Sequence, residues 1–148
     1  MEHYDVIFIG AGPAGYVGAI RAAQLGLKAA CVDDFIGKDG KPALGGTCLN
    51  VGCIPSKALL DSSKRYHDLT HNFSDHGISA LKPTIDVKAM VGRKDRIVKQ
   101  FTGGITLLFK ANKVTPIAGR ATLKPNRTVA VRAADGGLSE ISGTNIVL

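Results

Sequence analysis

Apolar and polar positions alternate in three regimes along this chain. Residues 4 to 9, Tyr-Asp-Val-Ile-Phe-Ile, form an apolar run that reads as a buried parallel strand. Glycines at positions 10, 12 and 15 follow, and Tyr16 to Leu25 then carries a helical pattern stopped by Gly26. Leu27 to Val32 reads as a second strand, ending at Asp33 and Asp34. Residues 35 to 44 hold turn signals and predict a loop. Pro55 suits the first position of a helix running to about Leu69, and a polar stretch follows from His67 to Lys82. After Pro83 a long helical pattern spans Thr84 to Ala111, with Val87, Val91, Ile97 or Val98, Phe101, Ile105 and Leu108 as its apolar positions. Gly103-Gly104 within it should each cost about 1 kcal/mol relative to alanine, which predicts either a closely packed neighbour or a bend. From Lys113 onward the period becomes two: Val114 to Ala118, Ala121 to Lys124, Thr128 to Arg132, Leu138 to Ile141 and Asn145 to Leu148. Turn signals at Pro125-Asn126 and Asp135-Gly136-Gly137 make a small antiparallel meander of this region. The expected class is α/β, with a central parallel sheet, flanking helices and that meander.

Composition narrows the class. A chain of 148 residues, 45% hydrophobic with a mean hydropathy of +0.10, can build one domain with a real core. Aromatic residues are few and tryptophan is absent, which argues against a stacking platform for single-stranded nucleic acid. The net charge of +7 is spread along the chain. Its one cluster, Arg93, Lys94, Arg96 and Lys99, has the spacing of a solvated helix face, so nucleic acid is not an expected partner. His3, His67, His71 and His76 read as surface residues rather than metal ligands, and no metal is expected. No apolar run reaches transmembrane length, so no membrane partner is expected either. The start lacks a basic n-region and a cleavage site, and three cysteines do not make a secreted disulfide framework. The expectation is a cytoplasmic protein, where a disulfide is usually catalytic. Cys31, inside the second strand, reads as a small core residue.

Gly10-Ala11-Gly12-Pro13-Ala14-Gly15 lies between a strand and a helix, and Asp33 stands 23 positions after Gly10. Such glycines allow a tight turn and close approach of a pyrophosphate to the helix N-terminus, while the acid can accept from a ribose hydroxyl. The motif does not separate FAD from NAD, and a ligand-free glycine turn is the bland alternative. Gly45, Gly46 and Thr47 form a second small-residue segment that allows backbone N–H groups to approach a phosphate.

Everything converges on residues 45 to 60, GGTCLNVGCIPSKALL, with Cys48 and Cys53 five residues apart. Five residues of regular helix turn through about 500°, which would point the two thiols apart. If they pair, the segment must be an irregular turn, with Gly52 free to take the unusual angles. A loop this short would stabilise the fold by only about 2 kcal/mol as a staple, so a redox role is the better reading. Cys53 would lie at the positive end of the helix dipole, with Lys57 one turn further on, and both favour a thiolate. The alternatives are inert buried cysteines, or a metal site that no further Cys or close His completes.

GGTCLNVGCIPSK resembles the redox-disulfide signature of the flavin-dependent pyridine-nucleotide disulfide oxidoreductases. Leu49, Ile54, Ser56 and Ala58-Leu59-Leu60 look most like the dihydrolipoamide-oxidising branch; glutathione and mercuric reductases are the sibling alternatives. The resemblance implies a Rossmann-like FAD-binding domain and a redox disulfide between Cys48 and Cys53. Cys48 would be the interchange thiol on the exposed side, and Cys53 would face the flavin. FAD contacts are implied at Gly10, Gly12, Pro13, Ala14, Gly15, Asp33 (where the family usually has Glu), Gly45, Gly46, Thr47 and Lys57. Backbone contacts to adenine fall at Gly119 to Ala121. NAD is implied as co-substrate. The implied partners are the lipoyl domains of 2-oxoacid dehydrogenase complexes or of the glycine cleavage system, and a second copy in a homodimer. The strand pattern Ile146-Val147-Leu148 is still running where the chain stops. Residues 1–148 are therefore expected to be the N-terminal segment of the FAD-binding domain, with the NAD-binding and dimerisation domains, and the family's catalytic His-Glu pair, lying outside it. A fragment that binds FAD without catalysis is the remaining alternative.

Overall fold

A computed structural model describes residues 1–148. The chain runs β1 (Glu2–Ile9), α1 (Pro13–Gln24), β2 (Ala29–Asp33), α2 (Gly46–Asn50), α3 (Cys53–His71), α4 (Val87–Asn112), β3 (Thr115–Ala118), β4 (Arg120–Lys124), β5 (Thr128–Arg132) and β6 (Leu138–Val147). A 3₁₀ turn at Phe73–His76 follows α3. The strands form one six-stranded sheet of order β3-β2-β1-β6-β5-β4. β1, β2 and β3 are parallel, and β6 runs parallel to β1 on its other side. β4, β5 and the first half of β6 are the antiparallel meander expected from the period-two runs.

β1 and β2 are buried on both faces, which is why they read as continuous apolar runs. One face packs Val6, Phe8, Ala29 and Cys31 against Ala19 of α1 and Ile105 and Phe109 of α4. The other packs Tyr4, Ile7 and Val32 against Val129, Val131 and Ile141 of the meander. Full burial of a side chain such as Phe109 or Ile7 stabilises the fold by about 1.5–3 kcal/mol.

Several expectations are corrected. α1 begins at Pro13, three residues before Tyr16, with proline at its first turn, so Gly15 lies inside the helix. The last two strand runs are a single strand, β6, because its first half serves β5 and its second half serves β1. Its end is not buried: Val147 and Leu148 are exposed, and β1 pairing rather than core packing extends it. α4 starts at an Asp86 cap, whose carboxylate accepts from the Ala89 N–H at 2.9 Å. It runs unbroken through Gly103-Gly104, and no neighbour lies within 4 Å of a Cβ built at either glycine. Of its expected apolar stripe only Ile105 is buried, joined by Phe109; Val87, Val91, Phe101 and Leu108 are exposed. The reason is that the N-terminal half of α4 meets α3 through polar groups. Arg93 donates to the Ala58 carbonyl at 3.0 Å, to Ser62 Oγ at 3.2 Å and to Asp61 Oδ2 at 2.9 Å. Hence Arg93 and Lys94 are not a solvated face: Arg93 clamps two helices, and the Lys94 amine is largely covered and paired with Asp95.

Candidate functional site

The carboxyl ends of parallel strands are where open α/β sheets bind ligands. Here a cleft of about 330 Å³ lies at that edge, lined by Ile9, Gly10, Val32, Asp33, Asp34, Gly119, Arg120 and Ala121. Four of the expected contact residues, Gly10, Asp33, Gly119 and Ala121, therefore line one cleft. Gly15 sits so close behind the turn that a Cβ there would overlap the Gly10 carbonyl oxygen. The first turn of α1, at Pro13, Ala14 and Gly15, has no side-chain cap, which leaves its N–H groups for an anion.

Asp33 works on the protein as well. One carboxylate oxygen accepts from the Ala11 N–H, and the other from the Phe35 N–H at 2.8 Å. It thus ties the glycine turn to the end of β2, and an ionised carboxylate retains further lone pairs for a ribose. Below it, the Cys31 thiol points at the Gly10 carbonyl at 3.6 Å. Burial, reinforced by the Asp33 charge, pushes the Cys31 thiol up to about 12, so it is inert at neutral pH.

Cys48 and Cys53 are joined as a disulfide with α-carbons 4.6 Å apart. The irregular turn that pairing demands is a break between two helices. Cys48 lies in α2, Cys53 opens α3, and Val51-Gly52 separate them. Gly52 takes φ −109° and ψ −101°, outside both helix and strand. The Thr47 carbonyl accepts from both the Val51 and Gly52 N–H groups, at 3.0 and 2.7 Å, and closes α2. Cys53 is the first residue of the 19-residue α3, which no side chain caps. Cys53 therefore sits at the positive end of the helix dipole. Lys57 is exposed one turn along.

One expectation about this pair is reversed within the chain. Cys53 is the exposed cysteine, and Cys48 is half-buried against the core. α2 presses its Leu49 face, and Cys48 with it, onto the first cluster; α3 packs Ile54 there and buries Pro55, leaving the Cys53 side chain exposed.

The disulfide segment is docked on the glycine turn. The buried Gly45 donates its N–H to the Ala11 carbonyl at 2.9 Å. Gly46, at φ +57°, lies so close to Gly12 that a Cβ would come 2.7 Å from the Gly12 α-carbon. Sequence reasoning missed the brace behind this contact: Asn50 donates to the carbonyls of Leu44 at 3.2 Å and Gly46 at 2.9 Å. It also missed Asp34 and Arg120, an ion pair of 3.6 Å at the cleft. Two adjacent acids after a strand were a visible signal for Asp34; nothing marked Asn50. Gly12 to Gly15, Gly45, Gly46, Thr47 and Lys57 do not line the cleft.

The model of the family described as pyridine nucleotide-disulphide oxidoreductase matches residues 4–148. The chain is 49% identical over 147 residues to dihydrolipoyl dehydrogenase 1, mitochondrial, of Arabidopsis thaliana, covering 99% of this chain and 28% of that protein. It is 52% identical over 120 residues to the dihydrolipoyl dehydrogenase of Cupriavidus necator, covering 80% and 25%. It is 46% identical over 147 residues to the leghemoglobin reductase of Vigna unguiculata, covering 99% and 27%. The chain thus spans little more than a quarter of the curated relatives it matches. Among solved structures, the Cu(II) complex of the HOCl-induced flavoprotein disulfide reductase RclA from Escherichia coli has the same fold. Its TM-score is 0.76 at 24% identity, over 99% of this chain and 28% of that one.

Proposed function

The chain belongs to the pyridine nucleotide-disulphide oxidoreductases, and from that premise we propose that the whole protein oxidises protein-bound dihydrolipoamide to lipoamide and reduces NAD⁺ to NADH. Residues 1–148 then form the N-terminal part of its FAD-binding domain. The observation that carries this reading is the docking of the Cys48–Cys53 disulfide on the nucleotide-binding glycine turn through Gly45 and Gly46. The names of the dihydrolipoyl dehydrogenases, at about half identity, support the lipoamide substrate over glutathione or mercuric ion.

The residues at the cleft fit FAD. Uncapped N–H groups of α1 suit its pyrophosphate, and the Asp33 carboxylate suits the ribose hydroxyls. The backbone at Gly119 and Ala121 suits adenine, and Gly45, Gly46, Thr47 and Lys57 extend the site toward the flavin. FAD, when bound, accepts the electron pair from the reduced cysteines and passes it on to NAD⁺.

The chain's own chemistry is thiol–disulfide exchange. A dihydrolipoamide thiolate attacks Cys48 Sγ; the Cys48–Cys53 bond breaks, and Cys53 leaves as a thiolate. The second substrate thiol then attacks the substrate sulfur of the mixed disulfide. Lipoamide is released, and the electron pair stays on the two cysteines. Attack at Cys48 follows from the leaving group. Cys53, at the uncapped start of α3 with Lys57 one turn away, is the better-stabilised thiolate, and the better-stabilised thiolate is the better leaving group. Lipoyl domains of 2-oxoacid dehydrogenase complexes or of the glycine cleavage system are the partners, and a homodimer is the working assembly. No helix is long and apolar enough to cross a membrane. A reducing compartment such as the cytoplasm suits a disulfide that must turn over.

The test is turnover by the whole protein, with dihydrolipoamide and NAD⁺ compared against glutathione disulfide or mercuric ion with reduced pyridine nucleotide. The lipoamide reaction should dominate and fall to background in both Cys48→Ser and Cys53→Ser. Preference for either rival substrate overturns the assignment.

A further inference from the structure

The last two turns of α3 carry His67 and His71, four residues apart, and the two exposed rings stack. Their centroids are 4.3 Å apart with an interplanar angle of 14°. Residues four apart share one face of a helix, so this contact is built into the backbone and costs little rearrangement. His71 Nδ1 lies 3.1 Å from the His67 carbonyl oxygen and 2.7 Å from the Thr70 hydroxyl. In the tautomer that donates from Nδ1 to the carbonyl, the Nε2 lone pair is free. His67 Nδ1 lies 3.9 Å from Asp68 Oδ1, beyond hydrogen-bond distance. A ring N–H held by a carbonyl or carboxylate, with the other nitrogen free, is the arrangement that orients histidines as metal ligands.

We propose that His67 and His71 form a bidentate surface site for a divalent transition-metal ion of imidazole-binding type, such as Zn²⁺. A metal about 2.0–2.1 Å from each Nε2 needs those nitrogens about 3 Å apart, and rings already stacked on one face approach that spacing by small side-chain rotations. Imidazole pairs suit zinc, copper and nickel, not magnesium or calcium. No third His, Cys, Asp or Glu joins the cluster, so water fills the remaining positions and the ion exchanges readily. Asp68 is committed elsewhere, to Lys64 at 2.8 Å and to Asn72 at 2.9 Å. The site is separate from the redox pair: His67 stands 14 positions after Cys53 in α3, about 21 Å along the helix axis. A metal here bridges one helical turn and holds the end of α3 against fraying.

The experiment is a Zn²⁺ titration of the oxidised chain by calorimetry, with imidazole ¹H–¹⁵N resonances followed in parallel. The expected result is one saturable site whose binding shifts the rings of His67 and His71 and leaves those of His3 and His76 unmoved. His67→Asn and His71→Asn should each weaken binding about tenfold or more, since each removes one arm of the chelate. His76→Asn should leave binding unchanged. Matching far-ultraviolet circular dichroism shows that the variants remain folded. No saturation below millimolar Zn²⁺, or equal affinity in the wild type and both variants, overturns the proposal.

Discussion

Gly45 donates its backbone N–H to the carbonyl oxygen of Ala11 at 2.9 Å, so the loop before Cys48 is hydrogen-bonded to the glycine turn after β1. Thirty-odd residues of chain separate the two motifs, yet they meet backbone to backbone. Gly46 against Gly12 completes the contact, and Asn50 holds the loop from behind.

Gly46→Ala tests that contact. The substitution places a methyl 2.7 Å from the Gly12 α-carbon at φ +57°. Left-handed strain and overpacking together should cost roughly 2–4 kcal/mol. Urea denaturation of the chain should show an unfolding free energy lower by that amount, with a lower midpoint and weaker FAD binding.

Asn50→Ala removes two hydrogen bonds to loop carbonyls without changing any backbone angle. A loss of about 1–3 kcal/mol is expected by the same denaturation measurement. Asn50→Asp should not rescue it, because a carboxylate cannot donate to Leu44 and Gly46.

How much of this was legible is clearest at the two motifs. The βαβ unit and the acid after β2 were written in periodicity and glycine placement; proline placement put the start of α3 at Pro55, and it lies two residues earlier, at Cys53. That the Cys48–Cys53 segment had to break its helix followed from the angle between positions five apart. The docking of Gly46 on Gly12 was not legible, since a glycine shows that something comes close but not what does. Arg93 was misread because spacing alone cannot tell a solvated cation from one that crosses to a neighbouring helix and caps the Ala58 carbonyl. The α4 stripe failed for a related reason: Val87, Val91 and Phe101 have helical spacing, but no layer of this chain covers them. His67 and His71 lie on the surface as read, and their ring stacking needed side-chain positions that the sequence does not carry.

Gly103→Ala, and Gly104→Ala with it, should stabilise the chain. Both glycines lie within α4, and an added Cβ meets nothing within 4 Å. Each change should add about 0.4–1 kcal/mol, chiefly by restricting the unfolded chain. A thermal melt of the double variant should move upward.

Cys31 gives a pH signature. Its thiol has an ordinary value of 9.0 and is pushed up to about 12 in the fold, first by burial and then by the Asp33 charge. Between these values the unfolded chain has lost a proton that the folded chain keeps, so stability falls as pH rises. The contribution is fully present below pH 9 and is lost progressively from there toward 12. Urea midpoints measured across that window should decline less steeply in Cys31→Ala. Cys31 should also resist thiol reagents at pH 8 until the chain is unfolded.

The central claim is that the Cys48–Cys53 pair and the glycine turn make one flavin-linked redox site. The most direct measurement is the visible spectrum of the chain with FAD, after desalting, before and after one equivalent of dithiothreitol. Retained flavin is expected, with a long-wavelength band on reduction, from the Cys53 thiolate beside the flavin, that is missing in Cys53→Ser. No flavin uptake, or retained flavin whose spectrum ignores reduction of the pair, contradicts it.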